Sequence, residues 1–521
     1  MAGWFQMRTV MLDGRSLTTE ALLAIAERRA HVECAPDALE RVRLARATVE
    51  GIIARGEVVY GINTGFGALV NTRIDASDLE RLQLNLIRSH ATAVGNPMTD
   101  TEVRAMMAVR LNSLLAGHSG VHEDPLRQLE AMLNHAITPV VPRLGSLGAS
   151  GDLAPLSHVA LALIGEGHVV HEGNTKPAKE ALTECGLVPC KLRAKDGLSL
   201  INGTSQMTSL LALASERLHA LLPLADAVLC MSLEARRCTV RPFEPQVHAV
   251  RPHAGQQHVA ARVMRLMEGS ANIEEHADCE RVQDAYSFRC SPQVHGVTYE
   301  RAMALASVVA IELNAVTDNP LVFPDPANPG PHEIVSQGNF HGEILGQTAD
   351  GMTLALFEQA SMSERRMDQL LDPARSGGRP FLARQSGLES GLMIVHYVAG
   401  ASLSELHGHV MPRSAFSTVT SGGQEDHVSM GATACMNLIL AIDRFTEVLA
   451  AELLIAAESV EDLTMAMSDD MTYLHRMVRR DVEPLTTDRS TAEDLRLLAQ
   501  RLGERRWWSE FVGSSSLMPN T

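Results

Sequence analysis

Apolar residues recur at helical spacing along most of this 521-residue chain. Leu39, Val42, Val49, Ile52 and Ile53 line one face of a segment that begins just after Pro36-Asp37, which predicts an amphipathic helix started by the proline. Thr18 ahead of Glu20 reads as the N-cap of an earlier helix. Between 55 and 75 the pattern changes to Val58-Val59-Tyr60-Gly61-Ile62-Asn63-Thr64-Gly65-Phe66-Gly67. That run is too glycine-rich for a helix and reads as a strand entering a loop. A second glycine-rich turn, 145–151, leads into an apolar helical run over 153–164 with Asp152 near its start. Residues 168–176 read as a short hairpin turning at Gly173-Asn174.

Further along, 207–233, 299–316, 342–371 and 429–463 have the length and periodicity of long helices. In 432–442 the apolar residues spread round most of the circumference, as in a helix at the centre of a bundle. Such a helix needs neighbours on every side, which hints at association with further chains. The C-terminal region reads as an amphipathic helix starting near Ser490 and Glu493, followed by a mobile polar end at Gly513-Ser514-Ser515-Ser516.

Composition strengthens the helical reading. Aromatic residues make up only 4%, with 24 methionines among 45% hydrophobic residues, a mixture that packs helices with little loss of rotamer freedom. The expected fold is mainly α: an N-terminal domain over 1–200 and a central helical bundle with a C-terminal helical segment over 201–521. A formal charge of −17 repels phosphate backbones and anionic membranes, so neither nucleic acid nor membrane is an expected partner. The eight cysteines are dispersed without a C-x-x-C pair and read as reduced thiols of a cytoplasmic protein. No uncharged apolar run reaches membrane-spanning length.

Several familiar motifs fail on inspection. Gly65-Phe66-Gly67 opens like a dinucleotide fingerprint, but Val70 stands where the next glycine is required. Gly148-Ala149-Ser150-Gly151-Asp152 resembles a nucleophile elbow until Asp152 replaces its last glycine. His118 with His122 and His168 with His171 lack a third ligand, so structural or surface roles are expected and no metal is.

The run Gly145-Ser146-Leu147-Gly148-Ala149-Ser150-Gly151-Asp152-Leu153-Ala154-Pro155-Leu156-Ser157-His158 resembles the signature of the aromatic amino acid ammonia-lyases and the related aminomutases. The resemblance extends to about residue 465 through Asn202-Gly203-Thr204, 283–290 and 312–320. It implies that Gly151 N attacks the Ala149 carbonyl and that loss of two waters yields 4-methylideneimidazol-5-one, an electrophile made from Ala149-Ser150-Gly151. The residue types suit that chemistry. Glycine nitrogen approaches where a Cβ would interfere, alanine leaves the carbonyl uncrowded, and serine supplies the hydroxyl whose loss leaves a methylene. Asp152 matches the acid said to assist cyclisation. Covalent attachment to an electrophile turns a poor leaving group, ammonia, into a better one.

The same resemblance assigns Tyr60 as the base for the β hydrogen, which requires its phenol to titrate below its usual range near 10. It places Tyr286 near the prosthetic group, with Asn202 polarising that group's carbonyl. Arg289 becomes the clamp for the substrate carboxylate, a task suited to a planar two-donor fork. Gln283 and Phe340 become a polar and an aromatic wall. A homotetramer with sites shared between chains is also implied.

Two positions bear on the substrate. Ser89-His90 resembles the pair in the family's histidine-specific members, and Glu425, in Gln424-Glu425-Asp426-His427, stands where enzymes for phenylalanine or tyrosine have glutamine. A carboxylate and an imidazole give an imidazole substrate polar partners, whereas a phenyl ring would leave the carboxylate buried and unpaired. The expected reaction is L-histidine to trans-urocanate and ammonia. Glu389 and Gly422-Gly423 depart from the family pattern and suggest an extra acid and a looser loop beside the pocket, keeping a modified histidine, tyrosine or phenylalanine substrate and an aminomutase outcome open. The fumarase-type serine loop is lacking, since Gly145-Ser146-Leu147 departs from it at once, and an intact tripeptide argues against a non-catalytic relative.

Overall fold

A computed structural model describes residues 8–59, 61–64, 74–276 and 281–514. The fold is mainly helical, and its short strands form two- and three-stranded sheets. The chain divides into two compact units, Met1–Leu213 with Ala306–Ala349 and Pro412–Met436, and Ala214–Leu305 with Asp350–Met411 and Asn437–Thr521. Four long helices, Ser205–Arg236, Ser291–Glu312, Glu343–Leu371 and Gly431–Ser459, contribute residues to both.

In the first unit, helix Asp100–Leu115 is buried along nearly its whole length. A reciprocal cap between Thr99 and Glu102 satisfies the backbone donors at its start. Its buried Arg104 donates to Ile25 O (2.8 Å), Ala26 O (3.2 Å) and Leu133 O (3.0 Å). Those carbonyls close the helices Thr19–Ala26 and Glu123–Asn134, where intrahelical partners run out. Strands Arg8–Leu12 and Ala30–Cys34 pair in parallel with Val10 opposite Val32; neither was evident in the apolar pattern. Thr18 does cap Thr19–Ala26, accepting Ala21 N at 3.2 Å, and the Leu39–Ile53 face belongs to helix Pro36–Arg55.

Three expectations are corrected. Residues 57–59 and 61–64 contain no strand, because Asn63 folds this stretch back on itself, accepting Val59 N and donating to Glu57 O. The hairpin His168–His171/Asn174–Pro177 turns at Glu172-Gly173, both with positive φ (50° and 78°), so Asn174 pairs with His171 instead of sitting in the turn. Gly513 and Ser514 end helix Arg505–Ser514, which follows the expected helix, found over Ala492–Gly503; Ser515 and Ser516 lie outside the described residues.

The second unit is built on helices whose polar residues are paired internally. Glu452 receives both Arg366 Nε and Nη2, at 2.5 and 2.8 Å, with both side chains fully buried. Asp226 holds Arg262 at 2.6 Å and His295 at 2.7 Å in the same way. Helix Ser205–Arg236 has the length and mean hydropathy (1.4) of a membrane span, but 78% of that window is buried inside the protein, as expected of a core helix. The seven described cysteines are free.

Candidate active site

A cavity of about 1140 Å³ opens in the first unit and is lined by His90, Ala149, Ser150, Asn202, Phe340 and Glu425 among others. Six residues from five distant stretches of sequence thus meet at one surface. Gly151 is buried beside them.

The turn carrying the tripeptide is clamped from two sides. Gly148 O accepts Gly342 N and Ser429 Oγ, each at 2.9 Å, and Leu147 O accepts Met430 N at 2.8 Å. Gly151 has φ +72° and pairs with Gly203, whose carbonyl oxygen lies 2.2 Å from where a Gly151 Cβ would be. No other residue fits there. Gly203 O also accepts Asp152 N at 2.7 Å.

Asp152 is fully buried and uses both carboxylate oxygens. Oδ1 accepts Ser146 Oγ at 2.8 Å, while Oδ2 accepts the amides of Gln206 (2.7 Å) and Met207 (3.1 Å) at the start of helix Ser205–Arg236. Burial pushes its carboxyl up to about 6, and these hydrogen bonds and Arg110 oppose the shift without cancelling it.

Ser150 Oγ donates to Glu425 Oε1 at 2.8 Å, and Thr420 Oγ1 donates to Oε2 at 2.7 Å. Thr420 and Glu425 are also backbone partners across a short antiparallel bridge. Between them Ser421, Gly422 and Gly423 all have positive φ (52°, 63° and 91°). The two glycines therefore supply much of the left-handed backbone of the tight reversal that returns Glu425 to the cavity.

His90 ends helix Leu79–His90, with Nδ1 2.8 Å from Leu86 O. A carbonyl only accepts, so Nδ1 carries the hydrogen and the neutral ring offers Nε2 as an acceptor. Burial lowers the His90 pKa, against the opposing effects of the Leu86 carbonyl and the Glu425 charge. Asn202 is 5% exposed and its Oδ1 is buried without a hydrogen-bond partner. A polar atom left so on a cavity wall suits a group that brings its own hydrogen-bonding atoms.

Gln283, Tyr286 and Arg289 belong to the second unit and are not among the residues lining this cavity. Arg289 Cζ sits 4.6 Å from the Tyr286 ring centre, Tyr286 is 68% exposed, and Arg289 Nε is buried without a hydrogen-bond partner. Glu389 is in the second unit too and accepts Gln385 N at 2.8 Å, closing its own turn. Tyr60 lies outside the described residues.

Of the histidines weighed from sequence, His118 Nδ1 meets Val322 O at 3.0 Å, His122 caps helix Glu123–Asn134, and His171 Nε2 lies 3.7 Å from Cys185 Sγ. A different cluster went unnoticed in the sequence. His341, Glu343 and His427 bring one ligand-type atom each within 4.8 Å of one another, an arrangement of the kind that holds a divalent cation. His341-x-Glu343 was a visible signal, but its third member is 84 residues further on. Thr420, which anchors Glu425, had no signal at all.

A model of the aromatic amino acid lyases matches residues 17–480. Histidine ammonia-lyase of Sorangium cellulosum is 45% identical over 495 residues, covering 94% of this chain and 96% of that protein. The crystal structure of histidine ammonia-lyase from Trypanosoma cruzi superposes with a TM-score of 0.89 at 38% identity, covering 97% of this chain and 96% of that one. Tyrosine aminomutase from Streptomyces globisporus does so with 0.90 at 34% identity, over 98% and 99%. With its cavity built round the Ala149-Ser150-Gly151 turn and nearly all of its length shared with these enzymes, the chain belongs to the aromatic amino acid lyase family, whose members are carbon–nitrogen lyases and their relatives.

Proposed function

We propose that this chain is a histidine ammonia-lyase, eliminating ammonia from L-histidine to give trans-urocanate. The observation that carries the reading is the convergence of His90 and Glu425 on the cavity that holds Ala149 and Ser150. His90 Nε2 is an acceptor and the Glu425 carboxylate is another, so an imidazole N–H finds a partner on either. A phenyl side chain gives neither a comparable return for its desolvation.

The prosthetic group is 4-methylideneimidazol-5-one formed from Ala149-Ser150-Gly151, which when present supplies an electrophile that makes the amine a better leaving group. The surrounding residues fit it. Gly151 is confined where only glycine packs, and Asn202 presents a buried amide with an unpartnered atom. Clamping of Gly148 from Gly342 and Ser429 holds the turn in one shape, so little backbone freedom remains to be lost on cyclisation. Arg289, with two parallel donors, takes the substrate carboxylate, and Tyr60 takes the β hydrogen.

The active form is a homotetramer with shared sites. Supporting this, the second unit exposes Val297 and Met303 on helix Ser291–Glu312, Ile394 and Tyr397 on helix Met393–His409 and Leu440 on helix Gly431–Ser459, apolar positions of a kind that partner chains cover. Tyr286 and Arg289 are then offered to a neighbouring chain's cavity.

The test is incubation of the purified protein with L-histidine, L-phenylalanine and L-tyrosine, with identification of products by absorbance and mass. Urocanate from histidine alone is expected. Cinnamate or coumarate without urocanate would overturn the substrate, and a β-amino acid would overturn the lyase outcome in favour of an aminomutase.

A further inference from the structure

Ser150 and Glu425 are 275 residues apart, yet their side chains are joined at 2.8 Å. A hydroxyl facing a carboxylate donates to it, so this bond selects one of the three staggered positions open to Oγ. Glu425 is itself fixed, by Thr420 Oγ1 on Oε2 and by the Thr420–Glu425 backbone bridge. Oε1 is therefore committed to the Ser150 hydroxyl for as long as that hydroxyl exists.

We propose that Glu425 serves the maturation of the tripeptide before it serves the substrate, by holding the Ser150 hydroxyl for departure as water. The proposal rests on the prosthetic-group reading given above. In the step concerned, Ser150 loses the hydrogen on Cα and the hydroxyl on Cβ. The electron pair of the Cα–H bond becomes the Cα=Cβ bond, the Cβ–Oγ pair leaves with oxygen, and the proton ends on that oxygen to complete one water. Nothing is oxidised or reduced. Glu425 fixes the direction in which Oγ leaves. Once the hydroxyl is gone, Oε1 has lost its donor and is open to an imidazole N–H. One carboxylate oxygen thus acts twice in order, and the substrate position opens only in chains that have matured.

Intact-chain mass and peptide mapping of residues 145–152 test this on the purified full-length wild type, Glu425→Ala and Glu425→Gln, with circular dichroism reporting the fold. Wild type is expected two waters lighter than its sequence. Glu425→Gln, whose amide oxygen accepts the same bond, should match it. Glu425→Ala should keep native helix content while its ratio of immature to mature chains rises roughly tenfold or more, as loss of one such hydrogen bond implies. Complete maturation of Glu425→Ala overturns the proposal and leaves the prosthetic-group reading standing. Retention of both waters in Glu425→Gln at the level of the alanine variant overturns the hydrogen-bond role. Wild type at full sequence mass overturns that reading and the proposal together. If Glu425→Ala loses helix content, Thr420→Val carries the test by freeing Oε2: raised immature chains support the proposal, and full maturation overturns it.

Discussion

Asp152 Oδ2 lies 2.7 Å from the amide nitrogen of Gln206, so a carboxylate beside the Ala149-Ser150-Gly151 turn closes the N-terminus of a 32-residue helix. The helix end favours the charge, but burial dominates and raises its pKa from 3.8 to about 6. The sign follows from linkage. An acid whose folded pKa is raised contributes its full stability while protonated in both states, below 3.8, and that contribution is lost as pH rises through about 6.

Asp152→Asn removes this titration. The difference in unfolding free energy between the variant and wild type should therefore shift in the variant's favour between pH 4 and pH 7, by on the order of 2 kcal/mol. Urea titrations at the two pH values measure it. A difference that does not change with pH would contradict the assignment.

Gly151→Ala places a Cβ 2.2 Å from Gly203 O at a φ of +72°. Backbone cannot yield as a flexible side chain can, so this variant should lose about 2–5 kcal/mol of stability. It should also retain both waters of the tripeptide. Thermal unfolding and intact mass on one preparation check the two outcomes.

Breaking the buried Arg366–Glu452 pair by Arg366→Met strands a carboxylate that also accepts Ser232 Oγ at 2.7 Å. The expected loss is about 3–5 kcal/mol. Adding Glu452→Leu removes the stranded charge and should recover most of it, as read from denaturation midpoints of the single and double variants.

How much of this was open to reading from sequence depends on the range of the determinant. The face Leu39–Ile53, the cap Thr18 and the long apolar segments are local patterns: the face lies in a helix, Thr18 caps one, and each long segment overlaps a long helix, although those expected to end at 316 and 463 stop at Glu312 and Ser459. The strands Arg8–Leu12 and Ala30–Cys34 depend on pairing across a helix and carry only five residues each. The motif of the tripeptide was legible because it is contiguous. The partner that clamps it, Ser429, and the residue that anchors Glu425, Thr420, make their contacts only in the folded chain. Gly422-Gly423 illustrates the same limit: the pair was legible as a departure, whereas the reversal that it builds between Thr420 and Glu425 shows only in the folded chain.

His90 should titrate below the usual histidine range. Burial lowers its pKa, while Leu86 O and the Glu425 charge raise it. Replacing Glu425 by Gln removes one of the raising influences, so the His90 pKa should fall further. Histidine Cε1 shifts followed by NMR against pH, in wild type and Glu425→Gln and assigned by His90→Gln, measure the two values. An unchanged value in Glu425→Gln would mean that the two side chains do not sense each other, and a higher one would contradict the raising influence of the Glu425 charge.

The cavity with Glu425 belongs to one unit of the chain and Tyr286 with Arg289 to the other, and the proposed shared site makes a quantitative demand on mixtures. Glu425→Ala and Tyr286→Phe should each be nearly inactive alone. If Glu425 and Tyr286 of a working site come from different chains, co-expression in equal amounts lets some sites draw an intact residue from each. Random assembly of two chain types makes that fraction about one half times one half, so about a quarter of wild-type activity should return. If both residues of a site come from one chain, every site carries one lesion and nothing returns. Co-purification on two different affinity tags ensures that only mixed assemblies are assayed, so recovery near a quarter identifies shared sites and its absence assigns each site to a single chain.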